Sequence, residues 1–266
     1  MSCPDCFKGA VLDGEPTGVI SDFEGSYFTT GATGGPSKRA IILLTDVFGL
    51  PLKNSKILAD NFATHLQCDV WVPDLFQGHP PVTEAQMKSL PDRAGVKLGF
   101  FAMAKLIFTV LPSAPAIIRN RPSVAGARTI PFVKKLQSEK KYEKIGAIGY
   151  CFGGGVAVHI ASTSDVFDSI VLAHPSPPSD DQLKAIKVNL LSMHPDDMSL
   201  KSARVEQIKA FYAGREGKDT FVEYEFKEYK AHGFAARPNF AYPDVKEGFE
   251  KAFTQAVEWF NKTIPA

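Results

Sequence analysis

The chain has 266 residues, and its 30 Lys and Arg against 29 Asp and Glu leave a formal net charge of +1. Hydrophobic residues make up 44% of the sequence and charged residues 22%, which is ordinary for a globular protein. Because this balance gives no basic footprint, nucleic acid and an anionic membrane surface are excluded as expected partners.

The four cysteines, Cys3, Cys6, Cys68 and Cys151, are too few for a disulfide scaffold and indicate a reducing compartment. Cys3 and Cys6 have C-x-x-C spacing, but no second ligand pair follows at the distance of a zinc ribbon or finger. A redox pair is expected after a strand and at the start of a helix, whereas this pair opens the chain. We interpret it as two reduced thiols in an N-terminal turn, with a metal or redox role as the alternative, and we expect no cofactor.

Targeting and membrane segments are not expected. The N-terminal residues lack a basic region followed by an apolar run, the pattern of a signal peptide. The longest apolar stretch, residues 98–111, is interrupted by Lys105 and is too short to span a bilayer. The sequence therefore predicts a soluble, cytoplasmic protein.

In chain order, the predicted elements begin with a glycine-rich hairpin that ends at Tyr27–Thr30, and strands and helices then alternate. Short apolar runs predict buried strands at 40–44, 70–72, 145–148, 169–172, 188–193 and 221–226. Helical periodicity predicts helices at 54–67, 153–162, 205–213 and 244–260. This alternation is typical of an α/β fold, a mostly parallel central sheet with helices on both faces, here in one domain spanning 1–266.

Residues 80–131 interrupt this alternation with several prolines around an apolar segment rich in Phe. One interpretation is a lid-like insertion that packs over one end of the sheet. The other is a group of ordinary additional helices on a sheet face. Neither interpretation predicts a second domain.

The most informative stretch is an apolar strand that leads into Gly149-x-Cys151-x-Gly153, with a helix directly afterwards. This is the nucleophile-elbow pattern G-x-S-x-G with cysteine in place of serine. Glycines are needed because side chains two residues either side of the nucleophile would collide with the neighbouring strand and helix. The helix N-terminus favours a thiolate there. The pattern favours a nucleophile over a buried structural cysteine or a phosphate loop, whose G-K-[ST] signature is absent.

An acid and a histidine follow this nucleophile in the chain order of an α/β-hydrolase triad. Asp196 and Asp197 come after the strand predicted at 188–193, and His232 comes after the strand predicted at 221–226. Each residue alone is compatible with a structural role, a loop cap or a core histidine. Their order indicates a triad of Cys151, Asp197 and His232, with Asp196 as the alternative acid.

At these residues the chain resembles the dienelactone hydrolase family, also called carboxymethylenebutenolidases. The C-x-x-C pair of Cys3 and Cys6 and the first hairpin also resemble eukaryotic, particularly fungal, members. The resemblance covers the chain from residue 40 to the end and rests on Gly149-Tyr-Cys151-Phe-Gly-Gly154, His232-Gly-Phe234, Val72-Pro-Asp-Leu-Phe76 and Thr45-Asp-Val-Phe-Gly49. It implies an eight-stranded α/β-hydrolase core and hydrolysis of an enol lactone such as a dienelactone.

The resemblance also implies further site residues. Where bacterial members commonly carry a glutamate that helps to generate the thiolate, this chain has Asp46, which we expect to tune Cys151; the alternative is an Asp that caps the following turn. The family places a substrate-binding arginine four residues after the catalytic histidine, at Ala236 here, with Arg237 next to it. Arg237 and, in the inserted segment, Arg119 are the candidates for binding a substrate carboxylate, and solvated surface is the alternative for Arg119.

These observations predict a cysteine-dependent hydrolase that cleaves an enol lactone or small ester through an acyl-enzyme on Cys151. Backbone N–H groups of Val47 and Phe152 are expected to form the oxyanion hole. The expected partner is a small-molecule lactone or ester, and the protein is expected to be a monomer or homodimer. The alternatives are a thioesterase or carboxylesterase acting on unrelated small esters, and a non-catalytic binding protein that retains the fold.

Overall fold

The computed structural model describes residues 9–33, 35–88, 108, 111–195, 202–214, 221–226 and 233–266. The strands in these ranges are β1 (Val19–Ile20), β2 (Tyr27–Thr30), β3 (Arg39–Leu44), β4 (Asp69–Val72), β5 (Lys144–Tyr150), β6 (Ser169–Ala173), β7 (Asn189–Pro195) and β8 (Phe221–Phe226). They form an eight-stranded sheet in the order β1-β2-β4-β3-β5-β6-β7-β8. The pairs β1–β2 and β2–β4 are antiparallel, and the other neighbouring pairs are parallel.

The helices of the described ranges are α1 (Lys53–Leu66), α2 (Glu84–Lys88), α3 (Ala114–Arg119), α4 (Pro122–Lys140), α5 (Phe152–Thr163), α6 (Asp180–Ala185), α7 (Ser202–Ala213) and α8 (Pro243–Thr263). A 3-10 turn at Leu111–Ser113 precedes α3. Within the described part of the chain, no helix combines the length and the apolar content that a membrane crossing requires.

Strand β3 shows why the sheet is buried on both faces, since all six of its residues are buried. Ile41 and Leu43 pack into the layer that contains α1 and α8. Ala40, Ile42 and Leu44 pack into the opposite layer, which contains α4 and α5. A parallel strand covered by helices on both faces requires apolar residues at successive positions, and residues 40–44 supply them. The predicted architecture, a mostly parallel sheet with helices on both faces, is confirmed.

Helix α4 lies partly inside the segment that the prolines set apart in the sequence. Pro122 occupies its first turn, where the missing N–H has no helical acceptor to lose, and Pro131 lies inside the helix. Its residues Phe132, Val133 and Leu136 join the core that contains α5. Residues 122–131 therefore belong to a helix on a sheet face. Residues 89–107, 109 and 110 of the predicted insertion at 80–131 lie outside the described residues, so the lid interpretation stays a prediction. The single-domain organisation stays a prediction.

The register of the parallel strands brings distant segments together at the carboxyl edge of the sheet. Leu44 lies beside Gly149, and Tyr150 lies beside Ala173. The turn that follows β3 and the first residues after β5 and β6 therefore meet at one place. In open α/β sheets, this edge is where ligands bind.

Candidate active site

Cys151 occupies the sharp turn between β5 and α5, with φ of 52° and ψ of −109°. L residues rarely adopt this backbone, and it persists only where the surroundings impose it. Its N–H donates to the Ala173 carbonyl at 3.0 Å, and its carbonyl accepts from the Gly154 N–H at 3.0 Å. Helix α5 begins at the next residue, so the positive end of the helix dipole lies at Cys151. This is the backbone geometry of a nucleophile elbow.

The glycines on either side of Cys151 permit contacts that no side chain would allow. A Cβ atom on Gly149 would lie 2.3 Å from the carbonyl oxygen of Gly153. A Cβ atom on Gly153 would lie 2.1 Å from the carbonyl oxygen of Leu44. The collisions expected from the sequence pattern are therefore present, and they hold the start of α5 against the end of β3.

The walls around Cys151 are apolar. Cys151 is only 4% exposed and packs in a small cluster apart from the two main cores. This Cys151 cluster consists of Val47, Phe48, Leu52, Val82, Met87 and Cys151, with Val11 and Phe152 packed against it. Val11, Val82 and Met87 were not predicted to lie at the site, because no motif includes them. Apolar walls strengthen any charge interaction at the thiol, because they exclude the solvent that would screen it.

Asp46 and Arg237 form a buried ion pair beside this cluster, between Oδ2 of Asp46 and Nη1 of Arg237. The other carboxylate oxygen, Oδ1 of Asp46, accepts the Phe48 N–H at 2.9 Å, which is the local bond that the capping interpretation expects. The Arg237 guanidinium also lies over the Phe48 ring, 4.7 Å from its centre. The two residues that the sequence analysis treated separately are thus partners.

Charge couples Asp46 to the thiol. Burial raises the pKa of Asp46 above its ordinary value, the Arg237 guanidinium opposes this rise, and the charge of Cys151 adds to it. Since a Coulomb interaction is mutual, the Asp46 carboxylate disfavours a thiolate on Cys151 to the same degree. The tuning of Cys151 by Asp46 stays a prediction.

The remaining predicted site residues are described only in part. Asp196, Asp197 and His232 lie outside the described residues, so the acid and the base stay predictions. Val47 and Phe152 are described, and neither of their N–H groups donates a backbone hydrogen bond within the described part of the chain. Arg119 is exposed at the end of α3.

Two buried histidines lie at the ends of neighbouring strands, and the sequence analysis gave them no role. His194 Nε2 is 2.6 Å from the Ser192 hydroxyl, and burial lowers the pKa of His194 to about 4. His174 follows β6, with its ring centre 6.2 Å from that of Tyr150 and 5.9 Å from that of Phe234. Among the described residues, no three His, Cys, Asp or Glu side chains are grouped as a metal ion would require.

An N-terminal segment also reaches the site, through Asn54 on α1. The Asn54 side chain accepts the Leu12 N–H at 3.0 Å and donates to the carbonyls of Ala10 and Ala236, each at 3.0 Å. The Ala10 N–H in turn donates to the carbonyl of Arg237 at 3.2 Å. No local pattern could have indicated these bonds, because 42 residues separate Leu12 from Asn54 and 182 separate Asn54 from Ala236.

Comparison with known proteins agrees with this geometry. Hydrolase pyvD of Aspergillus violaceofuscus is 28% identical to this chain, over 97% of this chain and 96% of the relative. Hydrolase tropI of Talaromyces stipitatus is 29% identical, over 98% of this chain and 96% of the relative. The crystal structure of dienelactone hydrolase from Anabaena variabilis shares the fold, with a TM-score of 0.55, 12% identity and coverage of 94% of this chain and 98% of that chain.

The family comparison extends over most of the sequence. The model of the dienelactone hydrolase family matches residues 27–264, from the first residue of β2 into the C-terminal residues that follow α8. The resemblance drawn from the elbow and the His232-Gly-Phe234 element is confirmed by this match, as is the α/β-hydrolase fold. The chain therefore belongs to the dienelactone hydrolase family and is a hydrolase that acts on ester bonds.

Proposed function

We propose that the chain is a cysteine-dependent hydrolase that cleaves an enol lactone or a small ester through an acyl-enzyme on Cys151. The observation that carries this proposal is the backbone of Cys151, with φ of 52° directly before the first residue of α5. A cysteine that only fills space needs no such conformation, whereas a nucleophile at an elbow does.

In the proposed reaction, the sulfur of Cys151 attacks the carbonyl carbon while His232 takes the thiol proton and Asp197 orients the imidazole. The oxyanion accepts hydrogen bonds from the N–H groups of Phe152 and Val47. When the intermediate collapses, the C–O bond breaks and His232 returns the proton to the leaving enolate. A water molecule then attacks the thioester, releases the carboxylic acid and regenerates the thiol.

The Asp46–Arg237 pair favours a substrate that carries an anionic group. In the empty site, the charge of the Asp46 carboxylate disfavours a thiolate on Cys151. A substrate carboxylate that binds Arg237 competes with Asp46 for the guanidinium and so changes the charge around the thiol when the substrate arrives. Arg119, which is exposed, is the second candidate for this contact. For the alternative substrates, unrelated neutral esters or thioesters, the pair offers no binding contact.

Trapping the acyl-enzyme tests the proposal. The wild type is mixed with a panel of lactones and aryl esters, and turnover is quenched with acid. The protein is then digested, and the masses of its peptides are measured by mass spectrometry. We expect the acyl mass on the Cys151 peptide and none on the Cys68 peptide, which serves as the internal control. Hydrolysis at the wild-type rate by a folded Cys151→Ala variant would contradict the covalent mechanism.

The identity of the acid is settled by two matched variants. Asp197→Asn is expected to lower kcat by about a thousandfold or more, because the base then loses the partner that orients it. Asp196→Asn is expected to have a much smaller effect. A larger loss of kcat in Asp196→Asn would assign the acid to Asp196 instead.

A further inference from the structure

We infer that residues 9–12, the N-terminal arm, form part of the active site, and that Asn54 is the positioning residue that holds this arm against the loop carrying Arg237. The inference rests on the proposed function in one respect, namely that Asp46 and Arg237 act on Cys151. Three observations support it: the hydrogen bonds of Asn54, the close approach of Gly9 to Arg237, and the packing of Val11 against the Cys151 cluster.

Asn54 fixes two separate chain segments to α1. Its amide is 1% exposed and makes three hydrogen bonds, two to the arm and one to the Ala236 carbonyl. Because an unpaired buried amide is costly, each of the three backbone partners is held within hydrogen-bond distance of the Asn54 side chain. Since Ala236 directly precedes Arg237, Asn54 sets the distance from α1 to the residue that bears the guanidinium.

The arm touches the backbone of Arg237 at a point where only glycine fits. Gly9 has φ of 143°, and a Cβ atom on it would lie 2.5 Å from the Cβ atom of Arg237 and 2.8 Å from its carbonyl oxygen. The next residue, Ala10, donates its N–H to that same carbonyl. The arm therefore lies directly against the residue that pairs with Asp46.

The arm also contributes to the apolar wall near the thiol. Val11 packs against the Cys151 cluster, and Leu12 is buried in the core between α1 and α8. Residues 9–12 thus contact the ion pair on one side and the cluster on the other. If the arm moves away, the loop from Gly233 to Arg237 loses its outer support, and the guanidinium moves relative to Asp46.

A movement of the Arg237 guanidinium changes the net charge beside Cys151. This charge can be measured without turnover, from the rates at which two reagents alkylate the thiol. Iodoacetate and iodoacetamide react alike: the thiolate forms a C–S bond and iodide leaves. The two reagents are similar in size, but only iodoacetate is negatively charged. The ratio of their rates at the Cys151 peptide, followed by mass spectrometry at low salt, therefore reports the net charge beside the thiol.

Asn54→Ala is expected to lower the iodoacetate-to-iodoacetamide ratio by about threefold or more, because an Arg237 that is held less closely leaves the Asp46 charge less compensated. Asp60→Ala is the matched control. Asp60 is on the same helix and ties the N-terminal chain down elsewhere, accepting the Thr17 N–H at 2.7 Å and the Tyr27 hydroxyl at 2.7 Å. Removing the negative charge of Asp60 favours iodoacetate, so we expect the iodoacetate-to-iodoacetamide ratio of Asp60→Ala to stay at or above the wild-type value.

A second pair of variants tests the arm without altering α1, which covers the case in which Asn54→Ala does not fold. Gly9→Ala should lower the ratio, whereas Gly14→Ala should not, because Gly14 also has positive φ, 92°, but has no atom within 4 Å of its Cβ position. Equal ratios in each variant and its control would overturn the inference. A wild type that hydrolyses no ester would refute the proposed function instead, and the alkylation ratios would still decide the role of the arm.

Discussion

Within the described residues two thiols are buried, Cys68 and Cys151, and they lie at opposite ends of the parallel strands. Cys68 lies between the end of α1 and the start of β4, fully buried in the core. Burial raises the pKa of Cys68 to about 12, and the Arg39 charge offsets only part of this rise. Cys151 lies between the end of β5 and the start of α5, on a strained backbone beside Asp46 and Arg237.

Both thiols are buried, but their electrostatic surroundings differ. In a strand–helix–strand unit, each helix begins at the carboxyl edge of the sheet and ends at the amino edge. Cys151 therefore meets the positive end of a helix dipole, which favours a thiolate, whereas Cys68 meets the negative end of α1, which disfavours one. The fold thus places helix dipoles of opposite sign at the two thiols, which supports the nucleophile proposed at Cys151.

The strongest test of this contrast removes each thiol in turn. Cys151→Ala is expected to lower kcat by about a thousandfold or more, since loss of a nucleophile leaves only the contribution of binding and the oxyanion hole. Cys68→Ala should leave kcat within about twofold of wild type, because Cys68 packs in the core that contains α1 and α8 and not in the Cys151 cluster. Ester hydrolysis at fixed protein concentration measures both.

Two controls accompany this pair. Thermal unfolding of both variants establishes that the fold is retained, and Cys151→Ser should keep little activity because a hydroxyl is a poorer nucleophile than the thiol that it replaces. Activity retained in Cys151→Ala, or lost in a folded Cys68→Ala, would reverse the assignment of the two thiols.

Local patterns in the sequence accounted for the elbow and the sheet. Gly149 and Gly153 are needed for contacts two residues from Cys151, so their spacing alone predicts the turn. The run at 40–44 predicts β3 because both faces of that strand are covered. Helix α6 was missed although Ser179 and Gln182 form a capping box, a signal that was present in the sequence.

The contacts that complete the site were not predictable in this way. Asp46 and Arg237 are 191 residues apart, and their pairing depends on how the last loop folds back over the turn after β3. Asn54 likewise looked like an ordinary residue of an amphipathic helix. Polar contacts of this kind depend on the assembled fold, because the sequence around one partner does not identify the other.

A smaller effect is expected from the charge beside Cys151. Asp46→Asn keeps the shape of the side chain but removes the carboxylate, which leaves the Arg237 charge uncompensated near the thiol. We expect the midpoint of the pH dependence of Cys151 alkylation to fall by about one pH unit, because the thiolate loses a repulsive neighbour and gains an attractive one. Turnover should change as well, since the carboxylate that disfavours the thiolate is gone.

Asp74→Asn is the matched control for this prediction. Asp74 follows β4 as Asp46 follows β3, and its Oδ1 accepts the Phe76 N–H at 3.0 Å just as Asp46 accepts that of Phe48. Asp74 has no arginine partner within the described residues. If Asp46→Asn matches wild type in alkylation and turnover while Asp46→Ala merely lowers the melting temperature, Asp46 only caps its turn.

The smallest expected effect concerns the thiol that the fold protects. The pKa of Cys68 is about 12 in the folded chain against an ordinary value of 9.0, so between these values only the unfolded chain loses the proton. The free energy of unfolding should therefore fall as the pH rises above the ordinary value, by about 1 kcal/mol at about pH 10. Cys68→Ala lacks the thiol. Denaturant titrations of wild type and Cys68→Ala at neutral and alkaline pH therefore isolate the contribution of Cys68 to the free energy of unfolding. If the difference in unfolding free energy between wild type and Cys68→Ala were the same at both pH values, burial would not suppress ionisation of Cys68, and the contrast with Cys151 would fail.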